Sequence, residues 1–90
     1  MPGAVRLGDV CTGHGRCRPR PNIGASPNVF INTLGAHRVG DPWSVHCTHS
    51  SAQGSGSSNV FVNGLPLARV GDGIVCGSAN ASGSPDVFVN

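Results

Sequence analysis

The sequence predicts a small all-β domain built from three similar segments that are related by a pseudo-three-fold axis. Two short phrases each occur three times, and their copies alternate along the chain. The first phrase, Arg-(Leu/Val)-Gly-Asp, begins at Arg6, Arg38 and Arg69, and the second, (Asn/Asp)-Val-Phe, begins at Asn28, Asn59 and Asp86. Such repetition in so short a chain is most simply explained by three structurally equivalent segments.

The composition favours strands and turns over helices. Of the 90 residues, 14 are Gly and seven are Pro, and no window shows the period of an amphipathic helix. We expect a single domain over residues 1–90 with a thin core, because a chain this short buries only about 60 to 65% of its unfolded surface. No apolar run is long enough to cross a membrane. The N-terminus lacks the features of a signal peptide, so we expect synthesis in the cytoplasm.

The repeated phrases predict where strands and loops lie. In each segment, β-branched residues alternate with Phe, which is the two-residue period of a strand with one face on a core. The predicted strands are residues 28–32, 59–63 and 86–90. We expect residues 38–41 and 67–72 to return as hairpins onto the first two of these strands. Loops follow the Gly-Asp pairs at residues 10–26, 42–58 and 73–84.

The Gly-Asp pair in each segment is interpreted as a structural turn. Glycine allows a positive φ, and we expect each Asp side chain to accept hydrogen bonds from backbone N–H groups just beyond it. Asn at the strand ends can act in a similar way. These polar residues are therefore assigned to turns rather than to catalysis.

The repeat accounts for most of the charged residues. The chain has six Arg and four Asp and lacks Lys and Glu. Three Arg and three Asp occupy equivalent repeat positions, and Asp86 takes the place of Asn28 and Asn59. The other Arg residues form a cluster at Arg16, Arg18 and Arg20. We interpret this cluster as a solvated turn, because the aromatic neighbour or helix expected of a nucleic-acid site is missing.

Each of the three loops contains a candidate metal ligand at nearly the same distance from its Gly-Asp pair. His14 and His46 each lie five residues after their Asp, and Cys76 lies four residues after Asp72. Equivalent offsets would bring these side chains together near the axis, where His49 adds a fourth ligand. Three imidazole nitrogens and one thiolate form a tetrahedral set suited to Zn²⁺.

Such a site would be structural rather than catalytic. Four protein ligands leave no open position for water, and the repeat uses every carboxylate, so no general base is available to activate a zinc-bound water. A metal that joins three loops would also add folding free energy to a thin core. The alternative is that these His residues lie on the surface and that Cys76 is a small buried hydrophobic residue.

The remaining Cys and His residues receive simpler interpretations. Cys47 lies between two predicted ligands, and we expect its side chain to point away from the ion. Cys11 and Cys17 are close enough in sequence to form a disulfide in an oxidising compartment. His37 lies in a predicted turn and is expected at the surface.

These motifs resemble the PAAR-repeat family. The resemblance lies in Val-Phe-Val-Asn-Gly-x-Pro-x-Ala-Arg-Val-Gly-Asp at residues 60–72, Gly13-His14-Gly15, the His46 to His49 step, Cys76-Gly77-Ser78 and the final Ser-Pro-Asp-Val-Phe. It covers nearly the whole chain. The resemblance implies a small β-rich cone. Family members often carry toxin extensions, but the repeat spans this chain, so we expect no effector extension. It also implies that zinc is held near the apex by His14, His46, His49 and Cys76.

The resemblance also implies a function and partners. Family members sit on the trimeric VgrG-like spike of type VI secretion systems or contractile phage tails, so we expect a non-catalytic tip, one per trimer, that sharpens a membrane-piercing spike. The expected partners are that spike protein, effector cargo and, transiently, the target membrane to which the spike delivers the tip. The alternatives are the tip of a phage tail baseplate, a small zinc-dependent effector enzyme, and a nucleic-acid-binding module that uses the arginine cluster.

Overall fold

Six short strands form three antiparallel pairs in the computed structural model, which describes residues 1–13, 17–46 and 49–90. The strands are β1 (Phe30–Ile31), β2 (Leu34–Gly35), β3 (Pro42–His46), β4 (His49–Ala52), β5 (Phe61–Val62) and β6 (Leu65–Pro66). The described part of the chain contains no α-helix, and hence none long and apolar enough to span a membrane. The all-β prediction is therefore confirmed.

Two tight hairpins, β1–β2 and β5–β6, carry the repeated Phe. Phe30 pairs with Gly35, and Phe61 pairs with Pro66 at the equivalent position. Both residues of each two-residue turn have a positive φ, with values of 53° and 68° in the first hairpin and 52° and 79° in the second. Such turns match the right-handed twist of the flanking strands.

The two ends of the chain pair antiparallel and form a strand pair equivalent to the two hairpins, which we call the third hairpin. Phe88 pairs with Gly3, the Ala4 N–H donates to the Val87 carbonyl at 2.9 Å, and the Val89 N–H donates to the Pro2 carbonyl at 2.8 Å. Residues 2–5 therefore supply the return strand of the third segment. The sequence prediction had identified residues 86–90 as the last strand and had assigned no return strand to it.

A closed triangle of backbone hydrogen bonds marks the pseudo-three-fold axis. The Val5 N–H donates to Ala68, the His37 N–H to Val5, and the Ala68 N–H to His37, at 3.0, 3.0 and 2.9 Å. These three residues occupy equivalent positions in their segments, and all three are fully buried. The predicted three-fold arrangement is thus present in the backbone itself.

The pairing of the return strands was predicted incorrectly. Residues 38–41 do not fold back on the preceding strand, because β2 already occupies that edge. Arg38 instead pairs with Leu67 of the next segment. The equivalent contacts, Arg6 with Ala36 and Ala4 with Arg69, complete the circuit. Each segment therefore pairs with a neighbouring segment. As a result, backbone hydrogen bonds as well as packing hold the three segments together at the axis.

The second predicted loop contains the longest strands. β3 and β4 pair antiparallel with an irregular register, in which Trp43 lies opposite Ser51 and His46 opposite His49. Trp43 also bridges to Asn22 of the first loop, so the β3 edge is covered on both sides. The polar residues and Pro42 of this segment do not predict a strand. Burial of Trp43, which is 1% exposed, stabilises it.

Two small apolar clusters form the core, as expected for a chain of this size. The first lies between the hairpins and contains Ala4, Ile31, Ala36, Val62, Leu67 and Val89. The second contains Cys11, Trp43 and Ile74, with Cys76 packed against it. Cys11, Trp43 and Ile74 each lie two residues after a repeat Asp.

Candidate functional site

Three ion pairs close the repeated Arg-(Leu/Val)-Gly-Asp turns. In the second segment, Arg38 Nε and Nη2 donate to the two carboxylate oxygens of Asp41, both at 2.8 Å. Arg6 with Asp9 and Arg69 with Asp72 repeat this bidentate geometry. The carboxylates are buried, so the pairs are shielded from water.

These turns differ in one respect from the sequence prediction. Each Asp accepts the backbone N–H of the Arg three residues before it, at 2.7 to 2.9 Å, rather than an N–H group beyond it. The Gly between them has a φ of 90° to 93° in all three copies, as predicted. The Arg guanidinium determines which backbone N–H the carboxylate accepts, because its two hydrogen bonds hold the carboxylate over the start of the turn.

Hydrogen bonds between side chains join the three hairpins into a ring. Ser26 Oγ lies 2.6 Å from Asn63 Oδ1 of the next hairpin, and Ser57 Oγ lies 2.8 Å from Asn90 Oδ1. Ser84 Oγ lies 2.6 Å from Asn32 Oδ1, which closes the ring. Sequence reasoning missed the serines, although each lies two residues before an (Asn/Asp)-Val-Phe phrase.

The hairpins expose a set of apolar side chains, which we call the hairpin face. Phe30, Phe61 and Phe88 are 60%, 57% and 52% exposed, whereas the next residue in each strand is buried in the first core cluster. The face also includes the partly exposed Val29, Leu34, Val60, Leu65 and Val87. Three equivalent aromatic side chains thus point to solvent around one axis. A surface of this kind is expected to be an interaction site.

The structure describes only some of the predicted metal ligands. His14 lies outside the described residues, and nothing beyond the backbone is described for His46 and His49, which lie opposite each other in the β3–β4 pair. Cys76 is half-buried against the second core cluster. Within the described residues, no group of three or more His, Cys, Asp or Glu side chains forms a metal-binding cluster.

The segments next to the predicted ligands do come together. The Cys76 N–H donates to Ser51 Oγ at 2.9 Å, which places the third loop on β4, two residues from His49. Ser78 Oγ donates to the carbonyl of Gly13 at 3.2 Å, which places the same loop beside the residue that precedes His14. The backbone arrangement therefore fits a metal shared by three loops.

The cysteines are arranged differently from the prediction. Cys17 is disulfide-bonded, whereas Cys11 is a free thiol, so the bridge between Cys11 and Cys17 that the sequence left possible is not formed. Cys11 is fully buried in the second core cluster, where its sulfur accepts the Arg20 N–H at 3.3 Å. Burial therefore keeps it from Cys17. Cys47 lies outside the described residues.

Burial and hydrogen bonding act in opposite directions on Cys11. Burial raises the pKa of the thiol, but hydrogen bonds from Ser78 and from the backbone of Arg20 and Gly13 outweigh it and lower the pKa below its usual value. Of the equivalent residues, Ile74 is purely apolar, whereas the Trp43 indole N–H donates to Gln53 Oε1 at 3.3 Å. Cys11 is thus a core residue whose sulfur is hydrogen-bonded to neighbouring polar groups.

His37 is a core residue and not the surface residue expected from the sequence. Its side chain is fully buried, Nδ1 lies 2.7 Å from the Gly24 carbonyl oxygen, and its ring packs edge-on against Trp43 at 5.3 Å. Burial lowers the pKa of the imidazole. The polar sequence around it suggested a turn, but its position on the axis, equivalent to Val5 and Ala68, decides its burial.

Arg18 and Arg20 are exposed, in agreement with the predicted solvated turn. Neither forms a salt bridge with any described residue. Arg16 lies outside the described part of the chain.

The profile of the PAAR motif matches residues 12–82 and 54–90, which together contain the hairpins β1–β2 and β5–β6, the second and third Gly-Asp turns and nearly all of the three loops. The chain belongs to the PAAR-motif family. No curated protein matches the chain. The resemblance inferred from the repeated phrases is therefore confirmed, and the three-fold hairpin ring is the PAAR repeat in this chain.

Proposed function

We propose that this PAAR-motif protein is a non-catalytic, zinc-stabilised tip that caps the trimeric spike of a contractile injection machine of the type VI secretion kind. The observation that carries the proposal is the hairpin face, where Phe30, Phe61 and Phe88 are exposed at equivalent positions around the axis. A contractile phage tail has a spike of the same symmetry, so the same face suits a phage tail tip as the alternative.

The symmetry of the hairpin face suits a three-fold partner. A trimeric spike presents three identical chains at its end, and a monomer can meet all three equally only if it repeats its contacts three times. Each hairpin supplies one Phe and at least one exposed Val to such a contact. Burial of aromatic side chains dominates the energetics of most interfaces, so the Phe residues would supply most of the affinity.

The ring of serine and asparagine side chains supports this role mechanically. Hydrogen bonds between buried Ser hydroxyls and Asn side chains join every hairpin to its neighbour. A face held by such a network keeps its shape when it is loaded, because each hairpin can move only with the other two. Rigidity of this kind suits a tip that is driven through a barrier.

The opposite end would be held by zinc. His14, His46, His49 and Cys76 are the proposed ligands, and the segments next to them converge through the Ser51 and Ser78 hydroxyls. Three imidazoles and one thiolate would complete a tetrahedral shell, so the metal would join three loops without binding a substrate. Its binding free energy would add to the stability of the two small core clusters.

The carboxylates support a role without catalysis. Asp9, Asp41 and Asp72 are each neutralised by an Arg in the same turn. The fourth, Asp86, belongs to the hairpin ring, where Asn32 donates to it at 2.9 Å. Each Asp carboxylate of the chain therefore has a structural partner. Among the described residues, no carboxylate forms a metal-binding cluster with Cys76. A zinc hydrolase would need such a base.

The proposal is tested by assembly with a trimeric VgrG-like spike protein, followed by native mass spectrometry. We expect one tip for each spike trimer. Replacement of Phe30, Phe61 and Phe88 by Ser should abolish the complex, because it removes the apolar contacts. The matched control is Val75→Ser with Ile23→Ser, since these residues are 73% and 60% exposed but lie outside the hairpin face. Equal loss of assembly in the control, or assembly of the triple Phe variant, would contradict the proposal.

A further inference from the structure

The net positive charge of the protein is concentrated in its first loop. Of the six Arg residues, three are paired with Asp in the repeated turns, and the fourth Asp belongs to the hairpin ring. The remaining cations are Arg16, Arg18 and Arg20. The net charge of +2 therefore comes from one short stretch, offset only by Asp86 at the hairpin end.

The backbone that carries Arg20 is held in place. The Cys11 N–H donates to the Arg20 carbonyl at 3.0 Å, and the Arg20 N–H donates back to Cys11 Sγ at 3.3 Å. Next to it, Pro21 bridges to Val10, and Asn22 bridges to Trp43 of β3. The exposed Arg20 thus projects from a segment that pairs with Val10 and Cys11 on one side and with Trp43 on the other, and the exposed Arg18 lies two residues before it.

The same segment also exposes apolar groups. Ile23 is 60% exposed, and Pro19 is exposed between the two Arg residues. Residues 18–23 contain no acidic and no aromatic side chain. Basic and aliphatic groups together suit the interface of a bilayer, where phosphates and acyl chains meet. Single-stranded nucleic acids are usually bound with aromatic stacking platforms, which this segment lacks.

We propose that residues 18–23 form a contact surface for anionic phospholipids. Arg18 and Arg20 would attract lipid phosphates by their positive charge, and Ile23 would enter the interfacial layer. This inference does not depend on docking to a spike, because it concerns a segment outside the hairpin face and can be measured on the isolated protein.

The test is flotation of the full chain with vesicles. We expect binding to vesicles of phosphatidylglycerol and phosphatidylcholine, weakening as salt is raised, and no binding to phosphatidylcholine alone. The double variant Arg18→Gln/Arg20→Gln should bind on the order of 30-fold more weakly, since each basic residue near an anionic surface contributes about five-fold. Arg18→Lys/Arg20→Lys should retain most of the binding because the charge is kept.

The matched control changes the net charge by the same amount elsewhere. Asn28→Asp/Asn59→Asp places carboxylates at the hairpin end, where Asp86 already occupies the equivalent position, so the fold should tolerate them. This variant should still bind the anionic vesicles within a few-fold of the parent. The proposal is overturned if the two double variants lose binding equally, if Arg18→Gln/Arg20→Gln binds normally, or if the parent binds single-stranded DNA but not the vesicles.

Discussion

His37 Nδ1 lies 2.7 Å from the carbonyl oxygen of Gly24, deep in the protein beside the pseudo-three-fold axis. This contact assigns the proton to Nδ1 and leaves Nε2 as an acceptor without a hydrogen-bond partner among the described residues. A neutral imidazole tolerates that position far better than an imidazolium would. The equivalent residues, Val5 and Ala68, are smaller and apolar, and both are also fully buried.

The burial of His37 predicts a loss of stability in acid. Burial lowers its pKa in the folded state, although the Gly24 carbonyl and the nearby Asp41 act in the opposite direction. An unfolded His titrates near pH 6.5, so the unfolded chain takes up the proton first as the pH falls. The contribution of neutral His37 is therefore complete above about pH 6.5 and is lost as the pH falls through the folded pKa.

The measurement compares the parent with His37→Val, the residue found at the equivalent position 5. Unfolding is followed from neutral to acidic pH, and the other His residues contribute equally to both proteins. We expect the stability of the parent to fall relative to the variant by up to about 1.4 kcal/mol per pH unit. A difference between the two proteins that stays constant with pH would disprove the role of His37.

Substitution of two glycines by Ala distinguishes the effect of backbone strain on stability from the effect of steric crowding. Gly71 has a φ of +93°, with no atom within 4 Å of an added Cβ, and Gly73 has ordinary backbone and only Ser55 Oγ at 3.9 Å. Gly71→Ala should reduce the free energy of unfolding by about 1 to 2 kcal/mol, because an L residue is strained at that φ. Gly73→Ala should change it by less than about 0.5 kcal/mol. Denaturant unfolding distinguishes them, and equal effects would contradict the assignment.

The cysteines make a prediction that peptide mapping can check. Without reductant, Cys17 should be recovered in a disulfide-linked peptide, whereas Cys11 should be recovered as a thiol. Cys11 should react with an alkylating reagent only after unfolding, because its sulfur is buried and accepts the Arg20 N–H. A peptide that links Cys11 to Cys17 would show that the described arrangement of the first loop is wrong.

The proposed zinc site predicts both composition and stability. Elemental analysis should find about one zinc per chain, and a chelator should lower the melting temperature because metal binding is coupled to folding. Cys76→Ser and His14→Ala should each reduce zinc content and melting temperature together. His37→Val serves as the control and should retain the metal, since His37 lies in the core beside Gly24 and Trp43. A metal-free parent that melts unchanged in chelator would exclude the site.

Cobalt substitution separates a structural site from an enzymatic one. A closed shell of four protein ligands should give a tetrahedral spectrum that added anions do not change, whereas a catalytic metal would exchange its bound water for them. Spectral changes on addition of anions would favour the effector-enzyme alternative.

The sequence by itself determined what depends on neighbours along the chain. The repeated phrases predicted three equivalent segments, the glycines predicted turns with positive φ, and the alternation around Phe61 predicted a strand with one buried face. Each property is local, because a few consecutive residues set the backbone angles and the direction of each side chain. The family could be inferred on the same basis, since its motifs are short phrases.

Only the tertiary structure decided which segments meet. Arg38 pairs with Leu67 rather than with its own hairpin, Ser26 bonds to Asn63 of the next hairpin, and the two chain ends share the third hairpin. His37 is buried because the backbone brings its position together with the equivalent Val5 and Ala68, which are also fully buried. Such choices depend on hydrogen bonds and volume shared between residues distant in sequence, and local patterns do not specify those.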